Sequence, residues 1–122
     1  MILADGVRAA ILAEAQAAYP RECCGLVEGV IDGEGTRVTA IHPARNLSAV
    51  DDAFLIDPAL QFRLRREGRR IVGCYHSHPN GVARPSARDA EGAGEAGLLW
   101  LIAAGGTVAG FVWDGTAFRE PG

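Results

Sequence analysis

The sequence predicts an α/β domain in which a mixed sheet carries helices packed against it. Three observations lead there. Segments with helical spacing of apolar residues alternate with strand-like runs in the order α-β-β-β-α-β-α-β-β-β, no repeat or internal linker interrupts them, and the length suits one core. At 122 residues the chain reads as a single domain over residues 1 to 122. Charged residues make up 22% and hydrophobic ones 48%, the balance of a globular protein rather than a disordered or fibrous one.

The first helix covers residues 5 to 19. Val7, Ile11, Ala15 and Ala18 recur at helical spacing, Asp5 offers a cap, and Pro20 forbids continuation. "CGLVEGVI" (24–31) and "TRVTAIHP" (36–43) flank the turn signal "DGEG" and read as a hairpin. Residues 43 to 52 show neither period and read as a loop, followed by a short strand "AFLI" (53–56). Asp57 is a natural N-cap, Pro58 suits the first helical position and Gly68 suits the C-terminal cap, so residues 58 to 67 should be helical. "RIVGCYHSH" (70–78) begins with an apolar, β-branched run and stops at Pro79, the pattern of a buried strand. Pro85 and Ser86 open a third helix that the Gly-rich "EGAGEAG" ends. "LLWLIAAGG", "TVAGFVWDG" and "TAFRE" supply the closing strands, with Asp114-Gly115 as a tight turn.

Composition narrows the function. No apolar run approaches the ~20 residues that span a bilayer, and Asp5 and Glu14 lie where a signal peptide would be basic and then apolar, so the expectation is a cytoplasmic protein with no membrane partner. Cys23, Cys24 and Cys74 do not make an even disulfide framework and suit reduced thiols. A net charge of −3 argues against a nucleic-acid partner. All twelve basic residues are Arg, and five of them (Arg63, Arg65, Arg66, Arg69 and Arg70) cluster in "RLRREGRR". A solvated helix end, its charge matched to the C-terminal dipole, explains that cluster better than an anion-binding patch.

The informative stretch is "YHSHPNGVARPSARD" (75–89). Side chains alternate along a strand, so His76 and His78 project from one face at one end and can converge on an ion. Asp89, in the first turn of the next helix, can complete a set of two imidazoles and a carboxylate. Three protein ligands leave a position open for water, which is the arrangement of catalytic rather than structural zinc. Each part also has a plainer reading. Histidines on a strand often pack or hydrogen-bond, and Ser86 with Asp89 spells an S-x-x-D capping box. Neither explains why the two histidines stand together at the strand's end while Pro79 and Pro85 fix the loop beyond them. A hydrolase further needs a general base, and Glu22 in "YPRECCG" is the best-placed carboxylate, although a loop glutamate is as readily solvated.

Together "PRECCGLVEG" and "GCYHSHPNGVARPSARDA" resemble the JAMM (MPN+) zinc metalloprotease family, in its small prokaryotic branch. The shared signature is an upstream glutamate, then H-x-H-P, P-S and an aspartate that brackets ten residues with His78. "RN" at 45–46 and "FLIDP" at 54–58 extend the likeness across most of residues 5 to 112. The resemblance implies a three-layer α-β-α sandwich like that of cytidine deaminase, with one Zn2+ held by His76, His78 and Asp89. It makes Glu22 the base that activates water and Ser86 a donor to the tetrahedral oxyanion.

The resemblance further implies cutting of peptide or isopeptide bonds at the C-terminal tail of ubiquitin-like proteins. With only a minimal loop at 79–85, the expected substrate is a ubiquitin-like or sulfur-carrier protein ending in diglycine. Homodimerisation stays open. Cys74 departs from the pattern: it shares a strand face with His76 and would close the site if it ligated, but a thiol two residues deeper in an apolar strand suits packing better. A non-catalytic MPN scaffold would typically have lost the ligands, and a DNA-repair-associated relative is disfavoured by the "ECCG" context and the acidic charge. A zinc nucleoside deaminase would need a P-C-x-x-C pair, which is absent.

Overall fold

The computed structural model describes residues 1–121. One mixed sheet of seven strands runs through it: β1 (Ile2–Leu3), β2 (Cys24–Asp32), β3 (Gly35–Ala44), β4 (Ile71–Ser77), β5 (Leu99–Ala104), β6 (Thr107–Trp113) and β7 (Phe118–Arg119). Three helices accompany it: α1 (Val7–Ala18), α2 (Pro58–Arg66) and α3 (Ala87–Gly92). The spatial order is β1-β3-β2-β4-β5-β6-β7, which puts β4 at the centre. β4 runs antiparallel to β2 and parallel to β5, and the connection between the parallel pair carries α3. None of the described helices is long and apolar enough to cross a membrane.

Alternation along β4 divides its side chains between two layers. Tyr75 joins the core under α1 with Val7, Ile11, Val27, Val38 and Leu101, all buried. Its hydroxyl donates to Glu14 on α1 at 2.5 Å. The opposite parity presents Cys74 and His76 to the side where Pro58 and Gln61 of α2 face Leu26 and Trp100 across a cavity. Two glycines allow the strands to sit this closely. A β-carbon on Gly25 would run into the Tyr75 ring, and one on Gly73 would meet the Leu99 carbonyl.

The expected hairpin, second helix, buried central strand and third helix all form, and the caps of α2 and α3 are the predicted ones: Asp57 accepts from the Ala59 amide, and Ser86 caps α3. Four details differ. Helix α1 starts at Val7 behind Gly6 in the left-handed conformation, so Asp5 is not its cap. "AFLI" forms no strand, only a bridge from Ile56 to Asn46, because the side chain of Asn46 takes the Leu55 amide. "TAFRE" contributes two strand residues, since the Thr116 and Ala117 amides donate to the Asp114 carboxylate instead of to a ladder. Strand β1 was too short to show a period; it pairs in parallel with β3 through Arg37 and Val38.

Candidate active site

The C-terminal end of β4, beside its parallel neighbour β5, brings the candidate residues together. His76 is fully buried and His78 is 8% exposed, and their Nε2 atoms stand 2.9 Å apart. Asp89, at the third position of α3, reaches back to both: Oδ1 lies 3.1 Å from His76 Nε2 and Oδ2 lies 3.1 Å from His78 Nε2. The loop between them is folded by its own chemistry. Asn80 Oδ1 accepts from the Val82 amide at 2.9 Å, Gly81 takes a φ of 82°, and the Val82 carbonyl then meets His78 Nδ1 at 2.8 Å. A carbonyl can only accept, so Nδ1 carries the proton and His78 turns its Nε2 lone pair inward.

The capping box is real and serves the site. The Ser86 amide donates to Asp89 Oδ2 at 2.9 Å and the Asp89 amide donates to Ser86 Oγ at 3.0 Å, which locks the carboxylate toward the histidines. Ser86 Oγ still has its own hydrogen to give. The S-x-x-D capping box and the orientation of Asp89 toward the histidines are therefore one set of contacts.

Glu22 is buried at 6% exposed, and one of its carboxylate oxygens lies within 4.8 Å of ligating nitrogens from both histidines. Burial pushes its carboxyl up to about 7 against the attraction of His78. Burial also opposes ionisation of Asp89, but the neighbouring His76 and His78 overcome it and hold that carboxyl far below the usual range. Two carboxylates beside one imidazole pair thus differ sharply in basicity. A groove of about 240 Å³ joins Glu22, His78, Pro79 and Ser86, with Asp52 and Arg88 at its rim.

The donor set fits a divalent ion such as zinc. Zinc bonds of 2.0–2.1 Å in a tetrahedron place ligand atoms about 3.3 Å apart, and the two histidine Nε2 atoms stand 2.9 Å apart, each with a different Asp89 oxygen at 3.1 Å. Cys74 is not in the convergent set. Its thiol lines the adjoining cavity of about 610 Å³, and burial pushes its ionisation far up. Cys23 and Cys24 are buried free thiols, and burial raises both, Cys24 to about 12, which disfavours their thiolates.

Three contributors escaped sequence reasoning. Phe54 stacks on His76 with ring centroids 4.2 Å apart and planes inclined by 20°. Ser77, between the histidines, accepts from the Cys23 amide next to Glu22, and Asn46 donates to the Glu22 carbonyl itself. Phe54 and Asn46 lie within stretches that carried the resemblance, but nothing in their spacing pointed at the histidines. The arginine cluster is the solvated helix end expected: Arg63 and Arg69 pair with Glu67, and Arg69 also with Glu28.

Comparison with known proteins decides the family. The model of the prokaryotic homologues of the JAB domain matches residues 4–116. The chain belongs to this prokaryotic JAB family. A desampylase of Haloferax volcanii is 36% identical to the JAB chain over 107 residues, covering 83% of the chain and 76% of the relative. A probable TtuB-protein conjugate cleaving protease of Thermus thermophilus is 36% identical over 88 residues, 71% of the chain and 56% of the relative. The crystal structure of a JAB1/MPN domain protein of Archaeoglobus fulgidus superposes with a TM-score of 0.63 at 22% identity, over 98% of this chain and 92% of that one. That likeness bears out the α/β sandwich with a mixed sheet, and the enzyme relatives agree with the hydrolase expected from the motif.

Proposed function

We propose that this JAB-domain protein is a zinc-dependent isopeptidase or peptidase that cuts after the C-terminal diglycine of a ubiquitin-like or sulfur-carrier protein. One observation carries the reading: His76 Nε2, His78 Nε2 and the Asp89 carboxylate converge at 2.9–3.1 Å with the buried Glu22 alongside. The relatives' names support the substrate class, one a desampylase and another a protease for conjugates of TtuB. The narrow groove beside Glu22 and His78 suits residues that have no side chain, as a diglycine does.

His76, His78 and Asp89 would hold the metal, which supplies Lewis acidity to the scissile carbonyl and lowers the pKa of water. The protein's own groups do the rest. Glu22 takes the proton of the attacking water, helped by a carboxyl whose affinity for protons burial has raised. Ser86 donates its free hydroxyl hydrogen to the developing oxyanion. Glu22 then returns its proton to the departing amine, and the balance closes without an acyl-enzyme.

The test is intact-mass analysis of a diglycine-ended carrier fused to a short tail, incubated with zinc-loaded wild type and with Glu22→Ala. Cleavage after the diglycine by wild type alone supports metal and base together. No cleavage by either protein, although both hold zinc, removes this substrate class and favours a binding role.

A further inference from the structure

We propose that Asn46 is a positioning residue that holds Glu22 and Phe54 in place against the histidine pair. The inference rests on the reading of Glu22 as the base. A side-chain amide offers two donor hydrogens and an acceptor oxygen with two lone pairs. All are used here. Asn46 Nδ2 donates to the Glu22 carbonyl at 3.0 Å and the Ala53 carbonyl at 2.9 Å; Oδ1 accepts from the Ser48 amide at 2.9 Å and the Leu55 amide at 3.0 Å. Two carbonyls on one side and two amides on the other leave no doubt which atom is nitrogen.

Those partners are not scattered. Ala53 and Leu55 flank Phe54, so Asn46 grips the chain on both sides of the ring that stacks on His76. The Glu22 amide donates to Asp51 of the same loop at 3.3 Å, and Arg21 Nη2 donates to the Ser48 carbonyl at 2.7 Å. Loop and base therefore share one anchor, and Asn46 is its centre. Aspartate keeps the acceptors but has no hydrogen for the Glu22 or the Ala53 carbonyl, while alanine loses all four bonds. A displacement of the base by about 1 Å is enough to cost on the order of 100-fold in rate.

That difference between the two substitutions supplies the test. Asn46→Asp and Asn46→Ala are compared with wild type by steady-state cleavage of the diglycine fusion and by amide exchange of the metal-free proteins, with Ser48→Ala as a loop control that leaves both Glu22 and Phe54 contacts in place. The expected result is that Asn46→Asp keeps wild-type protection at the Ser48 and Leu55 amides and a KM within about twofold, yet loses roughly 10- to 100-fold in kcat. Asn46→Ala loses that protection as well, and Ser48→Ala retains full kcat. Wild-type kcat in Asn46→Asp, or wild-type exchange at Ser48 and Leu55 in Asn46→Ala, overturns the proposal. Should wild type cleave no diglycine fusion, the base reading falls separately, and exchange in Asn46→Ala alone decides whether Asn46 anchors the loop.

Discussion

Ser77 and Cys23 exchange two hydrogen bonds: the Cys23 amide donates to Ser77 Oγ at 2.8 Å, and the Ser77 amide donates to the Cys23 carbonyl at 3.1 Å. The residue between the two histidines thereby holds the residue that follows Glu22. Both groups are buried, so removing the hydroxyl strands an amide in the core. Ser77→Ala should cost about 1–3 kcal/mol and lower the melting temperature by several degrees, read by thermal denaturation of the metal-free protein.

Glu22 links activity to stability through pH. Its folded carboxyl is raised to about 7, above the ordinary value of 4.5, so the folded state holds the proton more tightly than the unfolded state. The associated stability is complete below about 4.5 and lost as pH rises through about 7. Glu22→Gln should match wild type in metal-free unfolding at pH 4 and be the more stable at pH 8, by at most about 3 kcal/mol. Denaturant titrations at the two pH values read this directly, and equal stabilities at pH 8 would refute it.

Metal binding should stabilise the fold. An ion held by His76, His78 and Asp89 would bind the folded state only, and at 1,000 times its Kd would add about 4 kcal/mol. Zinc should raise the melting temperature and a chelator should reverse it. Asp89→Asn should greatly reduce the zinc shift, because the carboxylate that contacts both histidines is gone.

The three cysteines should behave as inert thiols. Cys23 and Cys24 are buried, and all three ionise above the ordinary range because of burial. At neutral pH a thiol-disulfide reagent should modify the folded protein slowly and all three residues once it is denatured. Fast modification of one cysteine together with loss of activity would revive a thiol mechanism.

Much of this was legible in the sequence wherever the determinant is local. Strand alternation put His76 and His78 on one face, the S-x-x-D box placed Asp89, and Asp57-Pro58 fixed the start of α2. What stayed hidden depends on partners far along the chain. Phe54 sits in a stretch that reads as a strand, but the Asn46 amide intercepts its hydrogen bonds and turns it into a loop that covers His76. Glu22 stood out as the best-placed carboxylate, but its burial was not legible, because the contact its amide makes is with Asp51 of the distant 46–56 loop. Strand β1 is two residues long and shows no pattern until β3 is there to pair with it.

The most direct test of the central claim is diffraction at the zinc edge from crystals grown with one equivalent of zinc. A single anomalous peak is expected about 2.0–2.2 Å from His76 Nε2, His78 Nε2 and an Asp89 oxygen, with Glu22 outside bonding distance. A peak bonded to Glu22 in place of Asp89, or bonded to Cys74 as well, would contradict it.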